Sequence, residues 1–124
     1  MSHRTQVLGA IGERMAERWL MREGWRIVAR RFRSGHRDID LVAERGTSVA
    51  FVEVKARTGL EFGDPIEAVN WRKQRELCRS AHVWLERYGQ PGMTYRFDVV
   101  GVWLRGDRVR IRHVENAFLL RGAR

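Results

Sequence analysis

A mixed α/β sheet flanked by helices is the fold class this sequence predicts, and three observations predict it. Residues 6–23 and 71–88 repeat their apolar side chains at helical spacing, and five shorter runs are rich in β-branched and aromatic residues. The second helical stretch lies between two strongly apolar strands, which calls for a right-handed parallel crossover. A chain of 124 residues fits a single domain, 1–124, with a core that needs no covalent staples.

The elements follow in order. Helix one, over 6–23, carries Leu8, Ile11, Met15, Ala16, Trp19 and Leu20, with Gly24 placed as its stop. "WRIVARRF" (25–32) alternates as a strand. "DIDLVA" (38–43) and "VAFVEVKA" (49–56) form an antiparallel hairpin around the turn Glu44-Arg45-Gly46-Thr47. After the glycine-rich loop "RTGLEFGDP", Asp64-Pro65-Ile66-Glu67 reads as a capped helical turn. Helix two, over 71–88, presents Leu77, Cys78, Ala81, Trp84, Leu85 and Tyr88 on one stripe and ends at Gly89. The strands 94–104 and 108–114 complete the pattern, and 115–120 fits either strand or coil.

Composition narrows the function. The single cysteine, Cys78, cannot form an intramolecular disulfide, and the four histidines do not pair with it at zinc-site spacing. No run reaches the roughly 18 apolar residues of a membrane span, so no membrane partner and a cytoplasmic location are expected. The formal charge of +9 and a pI near 11.2 point instead to a polyanionic, phosphate-bearing partner such as nucleic acid. Of the 24 basic residues only Lys55 and Lys73 are lysines. A compact ammonium among so many planar guanidinium forks suggests a site that needs a point charge.

Lys55 sits in an unusual strand. In "VAFVEVKAR", residues 51, 53 and 55 share one face, roughly 7 Å apart, so Glu53 and Lys55 point together. The hairpin register can bring Asp40 beside Glu53. Two close carboxylates make sense around a cation, and few oxygen donors with room for water suit Mg²⁺ or Mn²⁺ rather than zinc. Lys55 would then assist phosphodiester hydrolysis by orienting water or stabilising charge on phosphate oxygens. Gln74 near the start of helix two could reach that water or a phosphate, or hydrogen-bond a helix end. Glu13 on helix one could add a third carboxylate, or pair with Arg14 or Arg18 in solvent. Arg57, Arg72, Lys73 and Arg75 flank the site as candidate phosphate contacts, and Trp25 and Trp71 could stack on bases. A surface ion pair of Glu53 and Lys55 is the competing structural account.

The order of elements with Asp40, Glu53-Val54-Lys55 and Gln74 resembles the PD-(D/E)XK nuclease superfamily. More closely, "GERMAERWLMREGWRIVARRF", "DIDLVA", "FVEVKAR", "FGDPIEAV", "KQRELCRSA" and "RFDVV" resemble the YraN family of bacterial proteins over residues 9–118. Members of that family usually have Gly-Glu-Ile-Asp where this chain has Arg37-Asp38-Ile39-Asp40, so the second acid is kept. The superfamily resemblance implies a restriction-endonuclease-like αβββαβ core with one additional C-terminal strand. It implies Mg²⁺ held by Asp40 and Glu53, with the Val54 carbonyl as a further ligand, and Lys55 at the catalytic position. Similarity to archaeal Holliday-junction resolvases implies the helix-one acid Glu13 as a ligand and a homodimer as the assembly. The expected activity is metal-dependent endonucleolytic hydrolysis of DNA, of branched or damaged form, in repair or recombination. Two alternatives are a nucleic-acid-binding module that keeps the fold without turnover and a basic accessory protein of a larger assembly.

Overall fold

The structure is a computed structural model that describes residues 3–59 and 63–121. The chain runs α1 (His3–Arg22), β1 (Arg26–Phe32), β2 (Ile39–Arg45), β3 (Ser48–Arg57), a 3₁₀ turn (Pro65–Ala68), α2 (Trp71–Tyr88), β4 (Thr94–Arg105) and β5 (Arg108–Phe118). The five strands form one sheet in the order β1-β2-β3-β4-β5. Neighbours are antiparallel except β3 and β4, which are parallel and joined through α2. The mixed α/β sheet read from the sequence is therefore the fold.

Alternation along the strands separates two apolar layers. Val49 and Phe51 of β3 join Leu77, Cys78 and Ala81 of α2, whereas Ala50 and Val52 join Ala16 and Leu20 of α1. The helices thus cover opposite faces of the sheet. Each large side chain sealed in these layers contributes on the order of 1.5–3 kcal/mol relative to exposure.

Helix α1 ends in a Schellman motif. The Trp25 N–H reaches the Leu20 carbonyl at 2.9 Å and the Gly24 N–H reaches Met21 at 3.1 Å, with Gly24 at φ +89°. Glycine is the stop because only it adopts that angle cheaply. At the β2–β3 hairpin, Gly46 at φ +61° turns the chain between the paired residues Arg45 and Ser48. Asp64 accepts the Ile66 N–H at 3.1 Å, and Asn70 accepts that of Lys73 at 2.9 Å to begin α2.

Several expectations are corrected. Helix α1 starts three residues earlier, and its buried face is Gly12, Ala16 and Leu20, while Ile11 lies toward solvent. Trp25 precedes β1 and is buried beneath the guanidinium groups of Arg45 and Arg96, at 4.4 and 4.9 Å from its ring, so it offers no face to a base. Tyr88 is largely exposed at the end of its stripe. Strand β5 continues through Phe118, because Phe118 pairs with Phe97 and their rings stack at 4.4 Å. The centre of the loop after β3, residues 60–62, lies outside the described residues.

Candidate active site

The site forms where β3 outruns its neighbour. Pairing of β2 with β3 extends only to Leu41 opposite Val52, whereas β3 continues beside β4 as far as Arg57. Beyond Val52 the next outward amide of β3 would lack a strand partner, a costly state for backbone. Asp40 supplies the replacement: its Oδ2 accepts the Val54 N–H at 2.8 Å. This bond carries the Asp40 carboxylate to the Glu53–Lys55 segment.

Asp40 and Glu53 then line one cleft, with His36, Arg37, Asp38, Glu76 and Arg79 around them. Burial, followed by the charge of Glu53 and a hydrogen bond with it, pushes the Asp40 carboxyl up to about 8. Two carboxylates so placed cannot both ionise without compensation. Asp40 also opens onto a second cavity of about 670 Å³, lined by Glu13, Arg31, Val54 and Lys55. Burial and the Asp40 charge raise the Glu13 carboxyl, opposed by Arg31, whose Nη2 lies 3.5 Å from Glu13 Oε2.

Helix α1 brings Glu13 there because Gly12 has no side chain. A Cβ on Gly12 would fall 2.5 Å from the Cβ of Ala56, so glycine lets the helix lie directly on β3. On the far side of β3, Lys55 is opposite Gly101 of β4. A Cβ on Gly101 would strike Pro65 and the Trp103 ring at 2.6 and 2.7 Å, so glycine seats the 3₁₀ turn beside Lys55 and Arg57.

Of the sequence-derived site residues, Glu13, Asp40, Glu53, Val54 and Lys55 come together. Gln74 does not line this cleft. Its amide nitrogen donates to the Val69 carbonyl at 3.0 Å, the helix-end role that competed with a catalytic one, and it faces a separate groove. Lys73 likewise donates to the Ala68 carbonyl at 3.2 Å, and Arg72 pairs with Glu76 one turn on. Arg57 and Arg75 are exposed. Arg31, His36, Arg37 and Arg79 line these cavities as well, beyond the residues expected from sequence. Arg37 holds Glu76 at 2.6 and 2.8 Å and keeps that carboxyl below its ordinary range. Clustering of basic residues on the loop before β2 hints at His36 and Arg37, whereas Arg31 of β1 and Arg79 of α2 carry no such signal.

A second set of ligand-capable side chains lies on the other half of the sheet. Asp98, His113 and Glu115 place one ligand atom each within 4.8 Å of one another and could hold a metal ion. Protein groups already engage them. His113 Nδ1 accepts the Trp19 indole N–H at 3.2 Å, so Nε2 donates to Asp98 Oδ2 at 2.6 Å. Arg96 bridges Asp98 and Glu115 at 3.0 and 3.2 Å, and the Asn116 N–H satisfies the other Asp98 oxygen at 3.0 Å. No helix among the described residues is long and apolar enough to cross a membrane.

Comparison with known proteins gives a consistent assignment. The UPF0102 protein of Alkaliphilus metalliredigens is 40% identical over 111 residues, covering 90% of this chain and 96% of that protein. The UPF0102 protein of Symbiobacterium thermophilum is 47% identical over 114 residues, covering 90% and 95%. Among solved structures, Pyrococcus furiosus SfsA in complex with Ca²⁺ is similar at 18% identity with a TM-score of 0.41, over 90% of this chain and 63% of that one. The model of the uncharacterised protein family UPF0102 matches residues 12–102, a span that holds Glu13, Asp40, Glu53 and Lys55, and this chain belongs to that family, the YraN family.

Proposed function

We propose that the protein is a metal-dependent endonuclease of the PD-(D/E)XK type that hydrolyses DNA phosphodiester bonds, acting on branched or damaged DNA in repair or recombination. The observation that carries this reading is the close, half-buried pair Asp40 and Glu53, with Glu13 and Lys55 bordering the Asp40 carboxylate. A surface ion pair of Glu53 and Lys55 would leave that arrangement without a purpose.

The residues fit a hard divalent cation. The donors are all oxygen, from Asp40, Glu53, Glu13 and the Val54 carbonyl, and the burial and neighbouring Glu53 charge that raise the Asp40 carboxyl to about 8 disfavour an ionised pair that a cation would relieve. Arg96 already neutralises the Asp98, His113 and Glu115 group, which makes it the poorer candidate. When bound, Mg²⁺ or Mn²⁺ supplies Lewis acidity and lowers the pKa of water. The chain's own contribution is positional: the Val54 N–H fixes Asp40, Gly12 admits Glu13, and the Lys55 ammonium stands where it can balance charge growing on phosphate oxygens. Arg57 and Arg75, both exposed, supply attraction for the phosphate backbone.

The test is incubation of the purified protein with linear, nicked, single-stranded and four-way-junction DNA and with RNA, in Mg²⁺ or Mn²⁺ against a chelator. Cleavage that requires the metal and disappears in a folded Glu53→Ala variant is the expected result. Binding of these substrates without cleavage of any of them overturns the reading in favour of a binding module with no turnover. Sedimentation of the protein at assay concentration checks the homodimer.

A further inference from the structure

The segment after β5 lies against α2 and borders a groove of about 470 Å³ separate from the carboxylate pair. Three contacts hold it there. The Leu119 carbonyl meets Cys78 Sγ at 3.6 Å, the Arg121 N–H meets the same sulfur at 3.4 Å, and the Arg121 carbonyl meets His82 Nε2 at 3.0 Å.

At the mouth stands Trp71, the first residue of α2, with 54% of its surface exposed. The Arg121 guanidinium is 5.0 Å from the centre of its ring. Burial is the usual fate of an indole, so an exposed one framed by cations needs a reason. The groove's charged lining is mostly of one sign: Arg75, Arg79 and Arg121 outnumber Glu86, its one acidic residue among the described residues. An apolar floor with a flat aromatic lip and a cationic rim suits a planar ring attached to phosphates. An acidic peptide would have no use for the aromatic lip.

The position relative to the carboxylates matters as much. His36 and Arg79 line both this groove and the Asp40–Glu53 cleft, so one strand can pass from one to the other. We propose that the groove binds single-stranded nucleic acid, with an unpaired base stacked on Trp71 and its phosphates led past Arg79 and His36 to the carboxylate cleft. Bases inside a duplex are already stacked on one another and present no free face to an indole, so the occupant is a single strand or the unpaired arm of a branch. This deepens the nuclease reading and rests on it for the second half of the path.

The experiment is read as binding, without divalent metal. A labelled oligodeoxynucleotide of about 12 nucleotides is compared with an abasic strand of equal length and with a blunt duplex, by fluorescence anisotropy. The wild type is expected to prefer the base-bearing strand. Trp71→Ala should weaken that strand roughly 5- to 150-fold, as loss of one base–aromatic stack requires. It should leave the abasic strand unchanged, and Trp71→Phe should restore most of the difference. Equal binding of base-bearing and abasic strands by the wild type, or a Trp71→Ala variant that binds like wild type, overturns the proposal. Trp71-dependent binding in a protein that cleaves nothing keeps the groove and removes the nuclease reading. Metal-dependent cleavage with no Trp71 dependence does the reverse.

Discussion

Asp40 takes the place of a strand residue for Val54: its Oδ2 accepts that amide at 2.8 Å just where β2 ceases to pair with β3. The bond fixes Asp40 beside Glu53, and burial, followed by the Glu53 charge, carries its carboxyl up to about 8. Folding therefore takes up a proton at this residue between the ordinary value of 3.8 and about 8. Stability should fall as pH rises through that window, by at most about 1.4 kcal/mol per pH unit from this one group. Thermal unfolding in chelator from pH 4 to 9 should show the decline, and Asp40→Asn should flatten it. Mg²⁺ should raise the wild-type midpoint more at pH 8 than at pH 5. Parallel curves for wild type and variant would remove the argument.

Gly12 sets the distance between α1 and β3. Gly12→Ala places a methyl group 2.5 Å from the Ala56 methyl, and overpacking of this kind costs about 1–3 kcal/mol. Because Glu13 is the next residue, divalent-metal affinity should fall along with stability. The double variant Gly12→Ala with Ala56→Gly should recover most of both, which calorimetric metal titration and chemical denaturation can measure.

Asp98 answers acid differently. Burial raises its carboxyl, but the hydrogen bonds from His113 and Asn116 and the charge of Arg96 outweigh that, and its pKa lies below the ordinary 3.8. Its stabilisation is present above pH 3.8 and lost as pH falls through the lower folded value. Asp98→Ala, which strands the Arg96 and His113 groups, should cost roughly 3–5 kcal/mol at pH 7. Denaturation curves of variant and wild type should converge only below about pH 4.

Lys55→Ala should reduce the cleavage rate about 10²- to 10³-fold while leaving the metal-induced shift in unfolding temperature intact. Lys55→Arg should fail to restore it, because the planar guanidinium cannot occupy the space of an ammonium. Equal rates for Lys55→Arg and wild type would mean that any positive charge suffices.

Affinity for DNA should drop steeply with salt. Replacing a single phosphate-contacting residue, Arg57→Ala, should lower the slope of log affinity against log salt by about 1 without changing preference among sequences. A slope identical to wild type would place Arg57 away from the backbone.

Most of this molecule was legible from period and spacing. The glycine stop of α1, the β2–β3 hairpin, the capped turn at Asp64 and the parallel crossover each depend on short-range chemistry that a single sequence displays. The carboxylates were legible for the same reason, since a hairpin register converts sequence distance into proximity. What escaped was set by tertiary contact. Gly12 reads as a weak helix residue until Ala56 is known to lie beneath it, and Gln74 reads as a site residue until its amide is seen on Val69. The burial of Trp25 under two arginines and the exposure of Trp71 cannot be separated by residue type at all.

The indole of Trp19 and the imidazole of His113 meet across 94 positions of chain. The family model ends at residue 102, ahead of the strand that supplies the histidine. A shortened polypeptide finishing with β4 would thus retain all the acids and the ammonium, yet lose the strap that steadies the helix bearing Glu13. Completeness of the chemical groups and completeness of their support are separable in this fold, and the last strand belongs to the second.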